Sequence, residues 1–490
     1  MGPELLVWLL AAPFLGAVAL YLVRQRAQDG LALVLPALYL VLGLWAVYGL
    51  RRAFPVQVTL TSMPWLGPAG DVVLRLDALS AILLVVVVVV GFLVMAFSVA
   101  YMGPGNRENP VEGHRGNDRY YFFLSLFVGS MVGVALAGNL LVLFFFWECT
   151  TLCSWALISH HLHSPLSVRA GFKALVMTHV GGVCFLIALG ILYGLTGSFD
   201  FAAVQRLADA PRTALFLLLL AAATAKSAQV PLFTWLPDAM EAPTPVSAYL
   251  HAAAMVKAGV YLMARLLLSG GLFPTWTGGL MAGLALLSMA VGLVFYFYQD
   301  DLKRFLAYST ITQLGTMLLG LSLLLLGSHT AFVAGVFHLA CHSVAKALLF
   351  LAVGFMAMKL GVRSLSKISG LLARLPVTGL CFFVGLLAVT GIPPFCCFWS
   401  KLALVVGILE LKSPALWLIS VPFYAEVVLT FFWYLRVGHR LLFGPPSEAV
   451  MAVEGEASTA ADFLGLAVLV GLAVLTLLMP VMVFPFLKGL

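Results

Sequence analysis

The sequence predicts an all-α polytopic membrane protein, and three observations carry that prediction. Hydrophobic residues make up 62% of 490 and charged residues only 10%, with a mean hydropathy of +1.07. Soluble domains do not have this composition. Apolar runs of about 20 residues, the length that crosses a bilayer, recur along the chain. The lysines and arginines between those runs crowd into alternate loops, as topology requires.

About 14 spans are predicted, near 3–23, 31–50, 78–102, 119–136, 138–159, 170–195, 212–232, 244–266, 278–298, 304–326, 330–357, 376–409, 414–435 and 462–485. The first is too long, and too closely followed by others, to read as a cleaved signal peptide. Span 7 is interrupted before Pro231, and span 12 at Gly391-Ile392-Pro393-Pro394. Proline removes an amide donor and clashes with the carbonyl four residues earlier, so each break frees backbone groups that need polar partners. Broken helices in corresponding halves point to an internal repeat. Spans 4–8 and 9–13 are the expected repeats. Each holds five helices, an odd number, so the second is inverted relative to the first. The expected divisions are 1–118 (spans 1–3), 119–266 (first repeat), 267–440 (second repeat) and 441–490 (a loop and span 14).

With the N-terminus outside, roughly fifteen Lys and Arg fall in inner loops, Arg24, Arg26, Arg115 and Lys303 among them. Roughly eight fall outside, including Arg51, Arg52, Arg75, Arg265 and Lys412. The expectation is both termini outside a prokaryotic-type cytoplasmic membrane. The net charge of +7 is then topology plus four lysines inside spans, and gives no sign of nucleic-acid binding. The seven cysteines all lie in apolar spans without a CxxC pair and read as buried thiols. No haem, iron–sulfur or nucleotide motif is present, so neither a metal nor a cofactor is expected. Any redox chemistry would belong to another subunit, and the chain would not be catalytic alone.

The informative residues are charges inside the membrane, where each costs roughly 2.5–3.5 kcal/mol on insertion scales. Glu148 lies about ten residues into span 5, behind Phe144, Phe145, Phe146 and Trp147. An acid facing a lysine raises that lysine's proton affinity, and desolvation lowers it, so such a pair can switch. Lys226 stands just before the break in span 7. Lys401 stands just after the break in span 12. His251 and Lys257 are six residues apart on span 8, about 120° around a continuous helix. His338, His342 and Lys346 follow at four-residue steps on span 11, which stacks them on one face about 6 Å apart. Histidine titrates near neutral pH and can relay protons. Glu426, in span 13, is a further acid that fits an exit. Asp238 and Glu241, in the linker after Pro231, are expected to hold the break by hydrogen bonds, with proton uptake as an alternative. Asp77 is expected to cap span 3. Asp300, Asp301, Lys303 and Arg304 read as a short loop anchoring span 10.

The segment KSAQVPLFTWLPDAMEAPTPVSAYLHAAAMVKAGVYLMAR (226–265) resembles the signature of the antiporter-like subunits. These occur in Mrp-type cation/proton antiporters, complex I and energy-converting membrane-bound hydrogenases. Further matching stretches are FFFWECTTLCSWAL (144–157), GFKALVMTHVGG (171–182), DLKRFLAYSTITQLG (301–315), HLACHSVAKALLFLAVG (338–354) and GIPPFCCFWSKLAL (391–404). The resemblance covers roughly 70–480. It implies fourteen helices in two inverted repeats. It also implies an ion pair of Glu148 with Lys226, bridging residues His251 and Lys257, a central axis of His338, His342 and Lys346, and a terminal Lys401. Where the distal subunit of complex I has an acid in span 6, this sequence has Gly182. The long lateral helix of that distal protein is absent from this sequence, as is the extra domain of the large Mrp subunit.

The reading is a proton-translocating subunit of a multi-subunit membrane complex, with Na+/H+ exchange equally compatible. Expected partners are other membrane subunits, with hydrogenase-like or iron–sulfur subunits in a redox complex. The alternatives are a membrane subunit energising a partner for inorganic carbon uptake, a scaffold that no longer pumps, and a stand-alone transporter of an organic solute.

Overall fold

Backbone polar groups inside a bilayer must be paired within the segment, and every predicted span folds as helix. The computed structural model describes residues 2, 4–23, 25–108, 117–269, 271, 273–411 and 420–490. Arg24, Arg115 and Lys412 of the loop-charge count lie outside the described residues, as does the start predicted for span 13. The first seven spans are Leu5–Leu22, Gln25–Leu50, Ala78–Tyr101, Asn117–Leu136, Leu140–Ile158, Pro165–Thr196 and Asp209–Lys226. Span 8 has two pieces, Thr244–Ala252 and Met255–Ser269. Spans 9 to 11 are Thr275–Phe297, Leu302–Ser322 and His329–Leu360. Span 12 also has two pieces, Pro376–Thr390 and Cys396–Leu409; spans 13 and 14 are Val421–Leu442 and Ala460–Leu487.

Ten of these spans are long and apolar enough to cross a membrane on their own. The other four are spans 7, 10, 12 and 13. They carry Lys226, Gln313, Lys401 and Glu426; span 12 falls short by length alone, its two apolar pieces having 15 and 14 residues. Nearly every residue of span 10 is buried in the bundle, away from lipid. Span 11 is the hub and packs on spans 3, 8, 10, 12 and 14.

The expected pairing of spans 4–8 with 9–13 has local counterparts. The third helix of each set, spans 6 and 11, has 32 residues. Each opens on a serine whose hydroxyl accepts an amide three residues on: Ser164 from Ser167 at 3.4 Å, and Ser328 from Ala331 at 3.1 Å. Each closes on a glycine in the left-handed region, Gly197 (φ 66°) and Gly361 (φ 71°), where a side chain would be strained. The fourth helix of each set runs into its break, at Lys226 and at Thr390.

Two features depart from the sequence reading. Span 8 is broken at Ala253-Ala254, between His251 and Lys257, so the angle assumed for a continuous helix does not apply. Both Ala253 and Ala254 direct their amides to the Tyr249 carbonyl, at 3.0 Å each. Second, the loop after span 2 holds an antiparallel pair of strands, β1 (Val56–Ser62) and β2 (Asp71–Leu76). The helix of span 13 is described from Val421, the predicted start at 414 lying outside the described residues.

The loops sort onto two faces, as alternate crossings require. On one, Lys173 at the start of span 6 pairs with Asp238 after span 7 at 2.7 Å, and Arg363 after span 11 pairs with Asp301 before span 10 at 2.6 Å. On the other, Asp77 caps span 3 by accepting the Ser80 amide at 3.0 Å, as expected. Asp77 also accepts two hydrogen bonds from Arg265 of span 8, at 2.5 and 2.9 Å. Ser80 and Tyr261 hydroxyls complete the guanidinium's shell at 2.8 and 2.7 Å.

Arg265 is buried, so its partner carries structural weight. Burial alone pushes the Asp77 carboxyl up, but the charge and hydrogen bonds of Arg265, the Ser80 amide and Arg75 outweigh it and hold it at about 2. That lies below the unfolded value of roughly 3.9. Its stabilisation is therefore complete above that pH and is lost as the pH falls through about 2. Asp77→Asn leaves a buried cation unpaired and is expected to cost about 3–5 kcal/mol, read as a lower Tm at neutral pH, with the gap to wild type closing in acid. An unchanged Tm at neutral pH would refute the pairing.

Candidate functional site

The lysines, histidines and Glu426 singled out by sequence are all buried, none more than 6% exposed. They fall into one connected cluster and two outlying lysines at the helix breaks.

The cluster surrounds span 11. His338 and His342 stack with ring centroids 5.9 Å apart, matching the predicted stripe. Lys257, in the first turn after the span 8 break, lies 2.7 Å from His342 Nδ1 through its Nζ. His338 Nδ1 is 2.8 Å from the Ser400 hydroxyl, and its Nε2 is 3.0 Å from Gln313 Oε1. Gln313 Nε2 donates onward to Glu426 Oε1 at 3.1 Å, and Thr430 donates to the same oxygen at 2.8 Å. Five spans, 8, 10, 11, 12 and 13, thus meet through side-chain hydrogen bonds. Lys346 sits one turn below His342 and donates to the Leu306 carbonyl at 3.1 Å and the Ser309 hydroxyl at 2.7 Å. Ser309 in turn accepts from Tyr434.

His251 is on the other side of the span 8 break. Its ring lies 4.6 Å from that of Phe350, and neither ring nitrogen has a protein partner among the described residues. It is not hydrogen-bonded to Lys257 or to the stripe.

Lys226 differs from expectation. Its Nζ donates to the Trp147 carbonyl at 2.8 Å and to Thr151 Oγ1 at 2.5 Å, and lies 4.9 Å from the Trp147 ring centre. It forms no ion pair with Glu148. Trp147 and Thr151 share one face of span 5, whereas Glu148 is a further 100° around the helix and turns to span 6. There its Oε2 lies 3.0 Å from His179 Nδ1. Gly182 makes the room: a Cβ at that position would stand 2.4 Å from Glu148 Oε1. The glycine at 182 and the Glu148 carboxylate turned toward span 6 are one arrangement.

The span 7 break is closed by polar side chains. Ala228 takes φ 48°, a strained value for a non-glycine residue. Gln229 Nε2 donates to the Ser227 carbonyl at 2.9 Å, Trp235 Nε1 to the Ala225 carbonyl at 3.0 Å, and the Val230 amide to Ser288 Oγ at 3.0 Å. Asp238 and Glu241 do not hold the break. Asp238 pairs with Lys173, and with Arg304 at 3.7 Å; Glu241 lies 4.0 Å from Arg304 and 3.9 Å from Arg363. Lys173, Asp238, Glu241 and Arg304 line a cavity of about 590 Å³ open to that face. Lys303, assigned to a loop from sequence, is itself buried and donates to the Ala242 carbonyl at 2.6 Å. In span 12 a lysine takes up the carbonyls that the break frees. Lys401 Nζ donates to the carbonyls of Val389 and Thr390, at 3.1 and 3.2 Å, where the first half-helix ends.

Sequence reasoning missed His179, Gln313, Ser400 and Thr151. Only titratable groups in apolar spans were weighed, and three of these four are neutral. His179 stood within the quoted stretch GFKALVMTHVGG but had no visible partner.

Two five-helix sets with broken fourth helices and a buried lysine–histidine row define an antiporter-like membrane subunit. Residues 137–428 match the family described as NADH:quinone oxidoreductase/Mrp antiporter, TM, and residues 66–120 match NADH-Ubiquinone oxidoreductase (complex I), chain 5 N-terminus. The chain belongs to this NADH:quinone oxidoreductase/Mrp antiporter family. It is 41% identical to the chloroplastic NAD(P)H-quinone oxidoreductase subunit 5 of Zygnema circumcarinatum over 66% of this chain and 47% of that protein. It is 36% identical to a Na(+)/H(+) antiporter subunit from Alkalihalophilus pseudofirmus over 80% of this chain and 50% of that protein. The chain thus spans about half the length of these curated relatives. A chain of the Mrp complex from Dietzia sp. DQ12-45-1b has a TM-score of 0.85 at 32% identity, covering 99% of this chain and 51% of that one. A chain of the membrane-bound sulfane sulfur reductase, an archaeal respiratory membrane complex, has a TM-score of 0.82 at 26% identity, covering 99% and 96%.

Among the described residues, Gln313 is the one bonded to both His338 and Glu426. Gln313→Leu keeps the volume but leaves both groups short of a partner, and is expected to cost about 1–3 kcal/mol for each buried group left unpaired. Thermal unfolding in detergent reads this out, and a variant as stable as wild type would mean the bridge is not formed.

Proposed function

We propose that the chain is a proton-translocating subunit of a multi-subunit membrane complex, of the energy-converting hydrogenase and complex I type or the Mrp type. The connected cluster Lys257–His342–His338–Gln313–Glu426 carries this reading. Structural burial alone does not call for such groups set across four helices, spans 8, 10, 11 and 13. Protons are taken up near Lys226, from the face where Lys173, Asp238 and Glu241 line a cavity. They pass to Lys257, with His251 beside the route, then along His342 and His338, and leave by way of Lys401. Glu426 offers a side branch. Lys226 and Lys401 are the terminal stations because each sits at a break. Charge on one station disfavours charge on the next, which couples the halves. The uptake face is the inner one and both termini lie outside, in a prokaryotic-type membrane. Exchange of sodium for protons uses the same stations.

Lys226→Met and Lys401→Met are each expected to reduce proton transport by the assembled complex at least about tenfold, a barrier change of about 1.4 kcal/mol. Assembly, followed by co-purification, should survive. Undiminished transport in both variants would sink the scheme.

The partner reading rests on the Glu148–His179 pair. Both residues are near the middle of their helices, yet the His179 side chain is 61% exposed and Glu148 is 23% exposed. A titratable pair facing hydrocarbon there is costly, so a second membrane subunit covers this face of spans 5 and 6. A photo-crosslinker at Val183, an exposed neighbour of the pair, should capture another membrane subunit of the complex. Labelling of lipid alone would count against this face.

A further inference from the structure

On the face opposite the Lys173–Asp238 pair, a cavity of about 630 Å³ opens where spans 2, 8 and 14 end and span 3 begins. Its charge is unbalanced. Arg51, Arg52, Arg75 and Arg265 line it, against the terminal carboxyl group of Leu490 and a single side-chain carboxylate, that of Asp77, among the described residues. That carboxylate is already committed: Arg265 holds both its oxygens, and Arg75 Nε lies 2.9 Å from one of them. Arg51 and Arg52, on the turn that follows span 2, have no carboxylate within 4.0 Å among the described residues. Both are exposed.

The rest of the lining is apolar. Phe54 stacks on Phe486 with ring centres 6.2 Å apart, and Leu79 and Leu268 face the same space. Guanidinium forks match the oxygens of a phosphate and bind it in pairs. An apolar wall beside such a fork, at the level where the helices leave the membrane, suits a ligand with a charged head and a greasy body. Basic pockets between membrane helices hold lipid headgroups by this chemistry, and the volume is ordinary for a ligand site.

We propose that this cavity binds a phosphate-bearing anion through Arg51 and Arg52, with Arg75 and Arg265 setting the field. The lining favours the phosphodiester of an anionic phospholipid over free phosphate. The site is remote from the buried lysine row, so the proposal does not depend on the transport reading.

The test uses the delipidated protein in neutral detergent. Thermal unfolding and native mass spectrometry are followed with phosphatidylglycerol, phosphatidylcholine or inorganic phosphate at constant ionic strength. Phosphatidylglycerol is expected to raise Tm and remain bound as a discrete adduct, and phosphatidylcholine is not. The double variant Arg51→Gln/Arg52→Gln should keep its lipid-free Tm, since both side chains are exposed, and bind phosphatidylglycerol roughly tenfold or more weaker. Saturable stabilisation by inorganic phosphate, lost in the same variant, supports the site with a soluble anion as its source. An equal response to both lipids, no response to any phosphate, or a response that survives the double substitution overturns the proposal.

Discussion

The structure turns on holding four lysines buried inside the spans with no carboxylate beside them. Lys226, Lys257, Lys346 and Lys401 have no carboxylate within 4.0 Å among the described residues. Their partners are dipoles instead. Lys226 takes the Trp147 carbonyl, Lys346 the Leu306 carbonyl and Lys401 those of Val389 and Thr390, while Lys257 faces an imidazole. An intact helix spends its carbonyls on its own amides, so extra acceptors must come from helix ends or second lone pairs. The span 12 break supplies two such carbonyls to Lys401. Thr151 and Ser309 add hydroxyls where the helix is unbroken. The breaks in spans 7 and 12 and the buried hydroxyls of Thr151 and Ser309 follow from that one requirement.

Much of this was legible in the sequence because the bilayer simplifies the problem. Span count, both proline breaks and the His338–His342–Lys346 stripe needed only length, composition and the helical repeat. Contacts between helices were less legible. Glu148 and Lys226 are each conspicuous in an apolar run, and pairing them ignored which face of span 5 each partner meets. The break in span 8 lies in Ala-Ala, without proline or glycine to mark it. Lys303 looked like a loop charge because its burial comes from the polar linker after Pro231, which folds back over it. Gln313 went unremarked because it does not titrate, although its amide is the part that joins a histidine to an acid.

The two sets of five spans are similar in plan and different in chemistry. Spans 6 and 11 share length and both caps, so their residues can be compared place for place. The eighteenth residue is Gly182 in one and Lys346 in the other. In span 11 the position is buried and carries a lysine. In span 6 it is emptied to admit the carboxylate of Glu148. A repeat with the same backbone thus places a titratable side chain at the centre of the molecule in one half and at its surface in the other.

That difference bears on how the first half exchanges charge. Lys226 is held by a carbonyl and a hydroxyl, neither of which gains or loses a proton near neutral pH, so no group bonded to it can take its charge. Glu148 is close in sequence to both of those partners but is bonded to His179 on the outer surface of the bundle. For Glu148 to serve Lys226 directly, its side chain would have to leave His179 and swing back around span 5. The open position at Gly182 gives that carboxylate room to move. Whatever packs on the His179 side sets how readily it does so, because an anion turned toward a second subunit is stabilised by what that neighbour presents. Under the proposed transport reading, charge at Lys226 is therefore governed across the interface with the neighbour, whereas Lys257 meets His342, and His338 meets Gln313 and Glu426, within the chain.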